Sequence, residues 1–263
     1  MITQNTIDHY NEHGWVVVEG VFTPEEAERI AKISQMVSEK EEMREDQGQS
    51  YKLDVSEDGR TAPRKIDDPF LKHPAFQSFV LDVCLEEILT VLLGDRPLLK
   101  GDQIFMKPPH FGSAKPYHQD NYYFQCHPGG HVITAWIALD DVDEDNGCLR
   151  YISGSQKEGI VPHQVVPGQP YDLTPESECI DLKRESVAPV RKGGVVFHHS
   201  ETLHTSHRNA SDRWRRGYAT HWVTADVTSE TDALERAYFH QPEYEEIVLE
   251  AGHHGRLAAG GMV

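Results

Sequence analysis

The sequence has no C-x-x-C pair, no long apolar run and no excess of positive charge, and each absence removes a class of function. Its four cysteines, Cys84, Cys126, Cys148 and Cys179, are scattered. They have neither the spacing of a zinc site nor the density of a disulfide scaffold, so they read as reduced thiols in a cytoplasmic protein. The longest apolar runs are a few residues, such as "VVV" (16–18) and "VLL" (91–93), far short of the roughly 20 residues that span a bilayer. The opening "MITQNTIDHYNEHGW" lacks the basic and apolar regions of a signal peptide. No membrane role is expected. With 43 acidic against 25 basic residues, the net charge is −18. Such a surface repels a phosphate backbone, so no nucleic-acid partner is expected.

What is present is enough for one large domain. The 263 residues suffice to bury a sizeable core. "GWVVVEG" (14–20) reads as a strand. In "FTPEEAERIAKISQMVSEK", Thr23 and Glu26 form a capping box, Pro24 takes the first helical position, and Ile30, Ile33 and Val37 recur at helical spacing. This helix should run to about 39. Residues 40–62 are charged and poor in apolar side chains, and read as a loop or mobile segment. "PAFQSFVLDVCLEEILTVLLG" (74–94) reads as a second amphipathic helix closed by Gly94. From about 97 the texture changes to short β-branched and aromatic runs separated by turn signals, the pattern of a sandwich or open barrel. Residues 160–186 read as a long insertion, a lid or binding loop. The glycine-rich end "AGHHGRLAAGGMV" reads as frayed.

Chemistry concentrates in two places. His118 and Asp120, in "KPYHQDNYYF", would face the same way on a strand and could converge on one ion. Downstream, "VVFHHSETLHTSHRNASDRWRRGY" carries His198, His199, His204 and His207. One histidine from this stretch would complete two histidines and a carboxylate, a facial set that leaves coordination positions open and typifies non-haem Fe(II) oxygenases. If "NASD" (209–212) turns a hairpin, Ser206 lies opposite Arg215 and His204 opposite Gly217, on one shared face. That favours His204 as the ligand, with His198 and His199 ranked second. Arg215 could then bind a carboxylate in a bidentate manner, as a 2-oxoglutarate oxygenase requires. Trp136, Tyr122, Tyr123 and Phe124 are each open to a core or a pocket-wall reading.

The chain resembles the phytanoyl-CoA dioxygenase family of Fe(II)/2-oxoglutarate-dependent oxygenases. The ordered pieces that carry the resemblance are "KPP" (107–109), "HQD" (118–120), "AW" (135–136), "NGCLRYISGSQKEG" (146–159) and "HTSHRNASDRWRR" (204–216). It departs from the family at Ser153-Gly154-Ser155-Gln156, where relatives often read "PGSH", and at His204-Thr205-Ser206, where they often read "HGS". The resemblance implies a mainly β fold with flanking helices and a double-stranded β-helix (jelly-roll, cupin-like) core. One domain would span 1–263: helical to about 95, β-helix from about 96 to 227, then a tail from 228 to 263. It implies Fe(II) on His118, Asp120 and His204, and 2-oxoglutarate on Arg215 with help from Ser206. Trp136, Gln103 and Lys65 match positions that line the cosubstrate pocket. It also implies O2 consumption and release of succinate and CO2 as a small molecule is hydroxylated. Because Asp120 is present, hydroxylation is favoured over halogenation.

Two other classes stay open at this stage: a cupin-like metalloenzyme that does not use 2-oxoglutarate, and a β-barrel that binds a small molecule without turnover. Both leave Arg215 without a task. The substrate is not legible. The sequence lacks an obvious basic cluster for a CoA phosphate, and the acidic 160–186 segment points towards a zwitterion or an amine.

Overall fold

The computed structural model describes residues 2–42 and 53–250. The C-terminal "AGHHGRLAAGGMV" falls outside the described residues, as do residues 43–52 of the 40–62 segment read as a loop. Of the rest, 40–42 end a helix and 53–55 pairs with 61–63 as a strand hairpin, which corrects the loop reading there. In chain order, α1 (Gln4–His13) leads into β1 (Trp15–Val18), and α2 (Pro24–Glu42) follows. The backbone N–H of Thr23 donates to Glu26 and that of Glu26 to the Thr23 hydroxyl, so the capping box starts α2 where the sequence places it. The helix continues three residues past the expected end. A small hairpin, β2 (Leu53–Val55) and β3 (Thr61–Pro63), is followed by β4 (Lys65–Asp67).

The single helix expected over 74–94 is two. α3 (Pro74–Val80) ends near Leu81, and Asp82 caps α4 (Val83–Leu93) by accepting from the Cys84 N–H at 2.8 Å. Gly94 closes α4 in the left-handed conformation, with φ 78°. The apolar periodicity runs through the break, which is why spacing alone misses it.

The remaining elements are β5 (Leu98–Lys107), β6 (Lys115–His118), α5 (Asp120–Phe124), β7 (Cys126–His127), β8 (Val132–Ala138), β9 (Leu149–Ile152), β10 (His163–Val166), β11 (Gln169–Pro175), β12 (Glu185–Ala188), β13 (Val195–His199), β14 (His204–Ser206), β15 (Arg215–Val223) and β16 (Thr228–Ser229). Two antiparallel sheets form the jelly-roll. The larger has the order β1-β13-β8-β15-β5-β4 and the smaller β12-β9-β14-β6. The 160–186 segment is not a plain loop, since β10 and β11 pair as a hairpin.

Period-two alternation explains how the large sheet serves two layers. From β8, Ile133, Ala135 and Ile137 join the helical layer, where they pack with Ile30, Phe76 and Leu89. Thr134 and Trp136 face the cavity between the sheets. From β5, Ile104 and Met106 join the helical core, while Gln103, Phe105 and Lys107 line the cavity. A second cluster, including Trp15, Trp136, Leu149, Tyr151 and Val196, seals the space between the sheets. Among the described residues no helix is long and apolar enough to cross a membrane.

The hairpin drawn from "NASD" is not a ladder. β14 pairs with β6 and β9, whereas β15 pairs with β5 and β8. The two strands lie in opposite sheets. Asn209 shapes the crossing, donating to the carbonyls of Lys107 (3.0 Å) and Arg213 (2.6 Å) and accepting from Ser211 N (3.0 Å). Ser206 and Arg215 still meet, but across the sandwich and not along a sheet.

Candidate functional site

His118 ends β6 and Asp120 begins α5, so the strand geometry expected for the pair does not hold. The chain turns between them, and the turn brings the carboxylate back beside the imidazole. His204 is the direct cross-strand partner of His118, with ring centroids 4.1 Å apart. Asp120 Oδ1 is 3.7 Å from His118 Nε2 and 3.7 Å from His204 Nε2. The three ligand atoms all lie within 4.8 Å of one another, and the group could hold a metal ion.

Hydrogen bonds orient each member. His118 Nδ1 faces the Pro116 carbonyl at 2.9 Å, and His204 Nδ1 faces that of Thr202 at 2.9 Å. A carbonyl only accepts, so both rings carry their proton on Nδ1 and turn an Nε2 lone pair inward. Burial, reinforced by the neighbouring His204, holds His118 well below the usual imidazole value. Burial and His198 bring His204 to about 4. Both rings are therefore neutral near pH 7, as metal ligation requires. Burial opposes ionisation of Asp120, but His204 and His198 outweigh it and hold the carboxyl well below its ordinary range.

The outer oxygen of Asp120 is held by Thr134, which the sequence reading did not assign, and by His198, which it ranked as an alternative ligand. The Thr134 hydroxyl donates to Oδ2 at 2.7 Å and His198 Nε2 at 3.1 Å. Behind them, His198 Nδ1 meets the Tyr151 hydroxyl at 2.9 Å, and His221 Nδ1 donates to Thr134 Oγ1 at 2.9 Å. His198 is thus a buried support for the carboxylate and not one of the converging trio. His199 faces away from that trio, and its Nδ1 accepts from Glu201 N at 3.0 Å. His207 is exposed. Gln119, between the two candidate ligands, is wholly buried. Its side chain donates to the carbonyls of Gly159 (2.8 Å) and Glu201 (2.6 Å) and accepts from Val161 N (2.9 Å), while its own N–H donates to His163 Nε2 (3.1 Å).

The trio opens on a cavity of about 410 Å³ that Arg215, Ser206, Trp136, Gln103 and Lys65 also line. Arg215 is 2% exposed. Its Nη2 donates to Ser206 Oγ at 3.3 Å, its Cζ lies 5.4 Å from the Trp136 ring centre, and its Nε has no partner. A buried guanidinium with an unused donor lacks its anion. Two neutral imidazoles, one carboxylate and this cation are the donor set that Fe(II) with a chelating keto-dicarboxylate calls for. Gly217 gives the indole its place, because a Cβ there would lie 1.8 Å from Trp136 Cζ2. Lys107, also unassigned from sequence, donates to the carbonyls of Ser206 (3.2 Å) and His207 (2.5 Å) and fastens β14 to β5. Lys65 pairs with Asp67 at 2.7 Å.

The sequence profile described as Phytanoyl-CoA dioxygenase (PhyH) matches residues 10–217. The chain belongs to the phytanoyl-CoA dioxygenase family. Members of this family are non-haem iron, 2-oxoglutarate-dependent oxygenases, and this chain is one of them. It is 25% identical over 268 residues to a zebrafish (Danio rerio) phytanoyl-CoA dioxygenase domain-containing protein 1, covering 87% of this chain and 92% of the relative. Among solved structures, the α-ketoglutarate-dependent carbocyclase SnoK from nogalamycin biosynthesis superposes with a TM-score of 0.69 at 25% identity, over 88% of each chain. EvdO2 from Micromonospora carbonacea var. aurantiaca, complexed with 2-oxoglutarate, shares the fold with a TM-score of 0.69 at 17% identity, over 88% of this chain and 94% of that one.

Proposed function

We propose that this phytanoyl-CoA dioxygenase family member hydroxylates a small organic molecule, with His118, Asp120 and His204 as the iron ligands and Arg215 as the anchor for 2-oxoglutarate. The observation that carries the reading is the unpartnered, buried Arg215 Nε in the same cavity as the three converging side chains. Bound Fe(II) supplies the activation of O2 that couples conversion of 2-oxoglutarate to succinate and CO2 with insertion of one oxygen atom into a substrate C–H bond.

The chain's own residues do the rest. Arg215 and the Ser206 hydroxyl receive the distal carboxylate of 2-oxoglutarate, Trp136 flanks it, and Gln103 and Lys65 line the same space. Thr134 and His198 hold Asp120 Oδ2, so only Oδ1 faces the two Nε2 atoms. A carboxylate that would offer a bound ion a single oxygen would leave room for a chelating cosubstrate. The closed packing between the sheets excludes bulk water from the inner end. We read the chain as one oxygenase domain, its helices buttressing the large sheet. The four cysteines are free, which supports a reducing compartment such as the cytoplasm.

The test is substrate-coupled succinate release and metal content. His118→Ala, Asp120→Ala and His204→Ala should each abolish coupled turnover and lower Fe(II) uptake. Full activity in any one of them removes that ligand from the set.

A further inference from the structure

The charges around the cavity run against those of the whole chain. Five cations, Arg64, Lys65, Lys107, Lys115 and Arg215, line it against two carboxylates, Asp120 and Asp172, in a protein of net charge −18. Arg215 and Asp120 already have tasks, Lys107 is spent on carbonyls, and Lys65 pairs with Asp67. The balance is set by Arg64, Lys115 and Asp172. Lys115 Nζ takes Asp172 Oδ1 at 2.5 Å, which leaves Arg64 only a long 3.6 Å approach to Oδ2. Among the described residues no hydrogen bond engages the Arg64 guanidinium.

The position of Arg64 gives this surplus a use. The residue lies between β3 and β4, and its carbonyl accepts from Met106 N at 2.8 Å, so its backbone is pinned to the large sheet. Arg64, Ser113, Ala114 and Asp172 line both the inner cavity and a wider outer cleft of about 1040 Å³. They mark the doorway between the two. Ser113 Oγ is buried there with no partner. Of the acids in the outer cleft besides Asp172, Asp54 accepts from Ser113 N at 3.1 Å, Asp58 pairs with Arg60 at 2.9 Å, and Glu57 is exposed, against the three arginines Arg60, Arg64 and Arg208. A guanidinium fork whose nearest carboxylate stays beyond hydrogen-bond distance at 3.6 Å, and a hydroxyl with no partner, form an anion receptor at one doorway.

We propose that the substrate carries a carboxylate or phosphate that Arg64 and Ser113 receive at this doorway, with Asp172 held back by Lys115. This rests on the oxygenase reading for the direction in which the substrate points, reactive carbon inward and anion outward. It removes the simple amine from the zwitterion-or-amine expectation drawn from the acidic 160–186 segment, because Asp172, the carboxylate of that segment that reaches the cavity, is already paired with Lys115.

The test uses simple probes with 2-oxoglutarate saturating, so that Arg215 is occupied. Fluorine NMR would follow binding of para-fluorobenzoate, para-fluorophenyl phosphate and the neutral para-fluorobenzamide, on protein with and without Mn(II). At least one anion should bind at least about tenfold more tightly than the amide, the scale of a charged hydrogen-bonded contact. Arg64→Gln should erase that preference, Arg64→Lys should restore part of it, and Ser113→Ala should weaken it, all with unchanged melting temperature. The tighter of the two acids names the group. Equal binding of acid and amide, an Arg64→Gln protein that still prefers the acid, or no binding of either acid overturns the proposal. Paramagnetic broadening by Mn(II) separates the two readings. Arg64-dependent anion binding in a protein that takes up no Mn(II) supports the doorway and sinks the iron reading alone.

Discussion

Arg215→Met should make the ligand-free protein more stable while destroying its response to 2-oxoglutarate. Burial pulls the Arg215 guanidinium from 12.5 down to about 10. At about 1.4 kcal/mol per pH unit, holding that charge inside the ligand-free fold costs about 3 kcal/mol at neutral pH. Below about pH 10 the penalty is fully present, because the arginine is charged in both the folded and the unfolded chain. Methionine is of similar length and removes the penalty. It also forfeits the long bond to Ser206 and the contact with Trp136, together about 2 kcal/mol. The net gain is about 1 kcal/mol, which raises the melting temperature by roughly 2–4 °C in a chain of this size. With a redox-inert metal such as Mn(II), 2-oxoglutarate at a hundred times its Kd adds about 2.7 kcal/mol to the wild-type protein. In the variant its distal carboxylate is buried unpaired at about 3–5 kcal/mol, so the same concentration should produce no shift. Calorimetry with and without cosubstrate reads both effects. A variant that melts lower without ligand and keeps the shift refutes the argument, for Arg215 would then be a structural cation.

Three further outcomes follow from groups behind the site. His198→Phe should weaken Fe(II) or Co(II) binding about 10–100-fold, and His198→Gln, which can still donate to Asp120 Oδ2, should recover part of it; equal titration curves for Phe and wild type would remove His198 from this role. Gly217→Ala puts a methyl on Trp136 and should cost about 2 kcal/mol or more in denaturant unfolding, together with weaker cosubstrate binding; an unchanged unfolding midpoint counts against that contact. Asp102 is buried while accepting from Tyr218, Tyr238 and Phe70 N, and burial raises it from 3.8 to about 7. The native state therefore holds a proton that the unfolded chain releases, so stability should fall as pH rises from about 4 to about 7 and level off above. Asp102→Asn should flatten that slope, and an identical pH profile would show that Asp102 does not cause it.

Much of the site was legible in the sequence because its parts are local chemical signatures in a fixed order. His118, Asp120, His204, Ser206 and Arg215 all reach one cavity. The route to that result was wrong in two places. His118 and Asp120 share a direction because a strand end turns into α5, and Ser206 meets Arg215 between sheets and not across a hairpin. The support from His198 was hidden for a physical reason. His198 and His199 are adjacent on β13, so one must face inward and one outward, and only the register with β1 and β8 decides which. Thr134 could not be paired with Asp120, nor Tyr151 with His198, before that register was known. The doorway arginine was equally obscure, since Arg64, Ser113 and Asp172 come from three separate segments.

The four bonds of Gln119 make one residue the knot of three segments. They join the turn between His118 and Asp120 to the stretch at 159–163 and to the loop that leads into His204. One residue thus couples the spacing of His118 and Asp120 to the approach of His204, so an insertion or deletion in the 159–163 stretch would reach the trio without touching any of its three side chains.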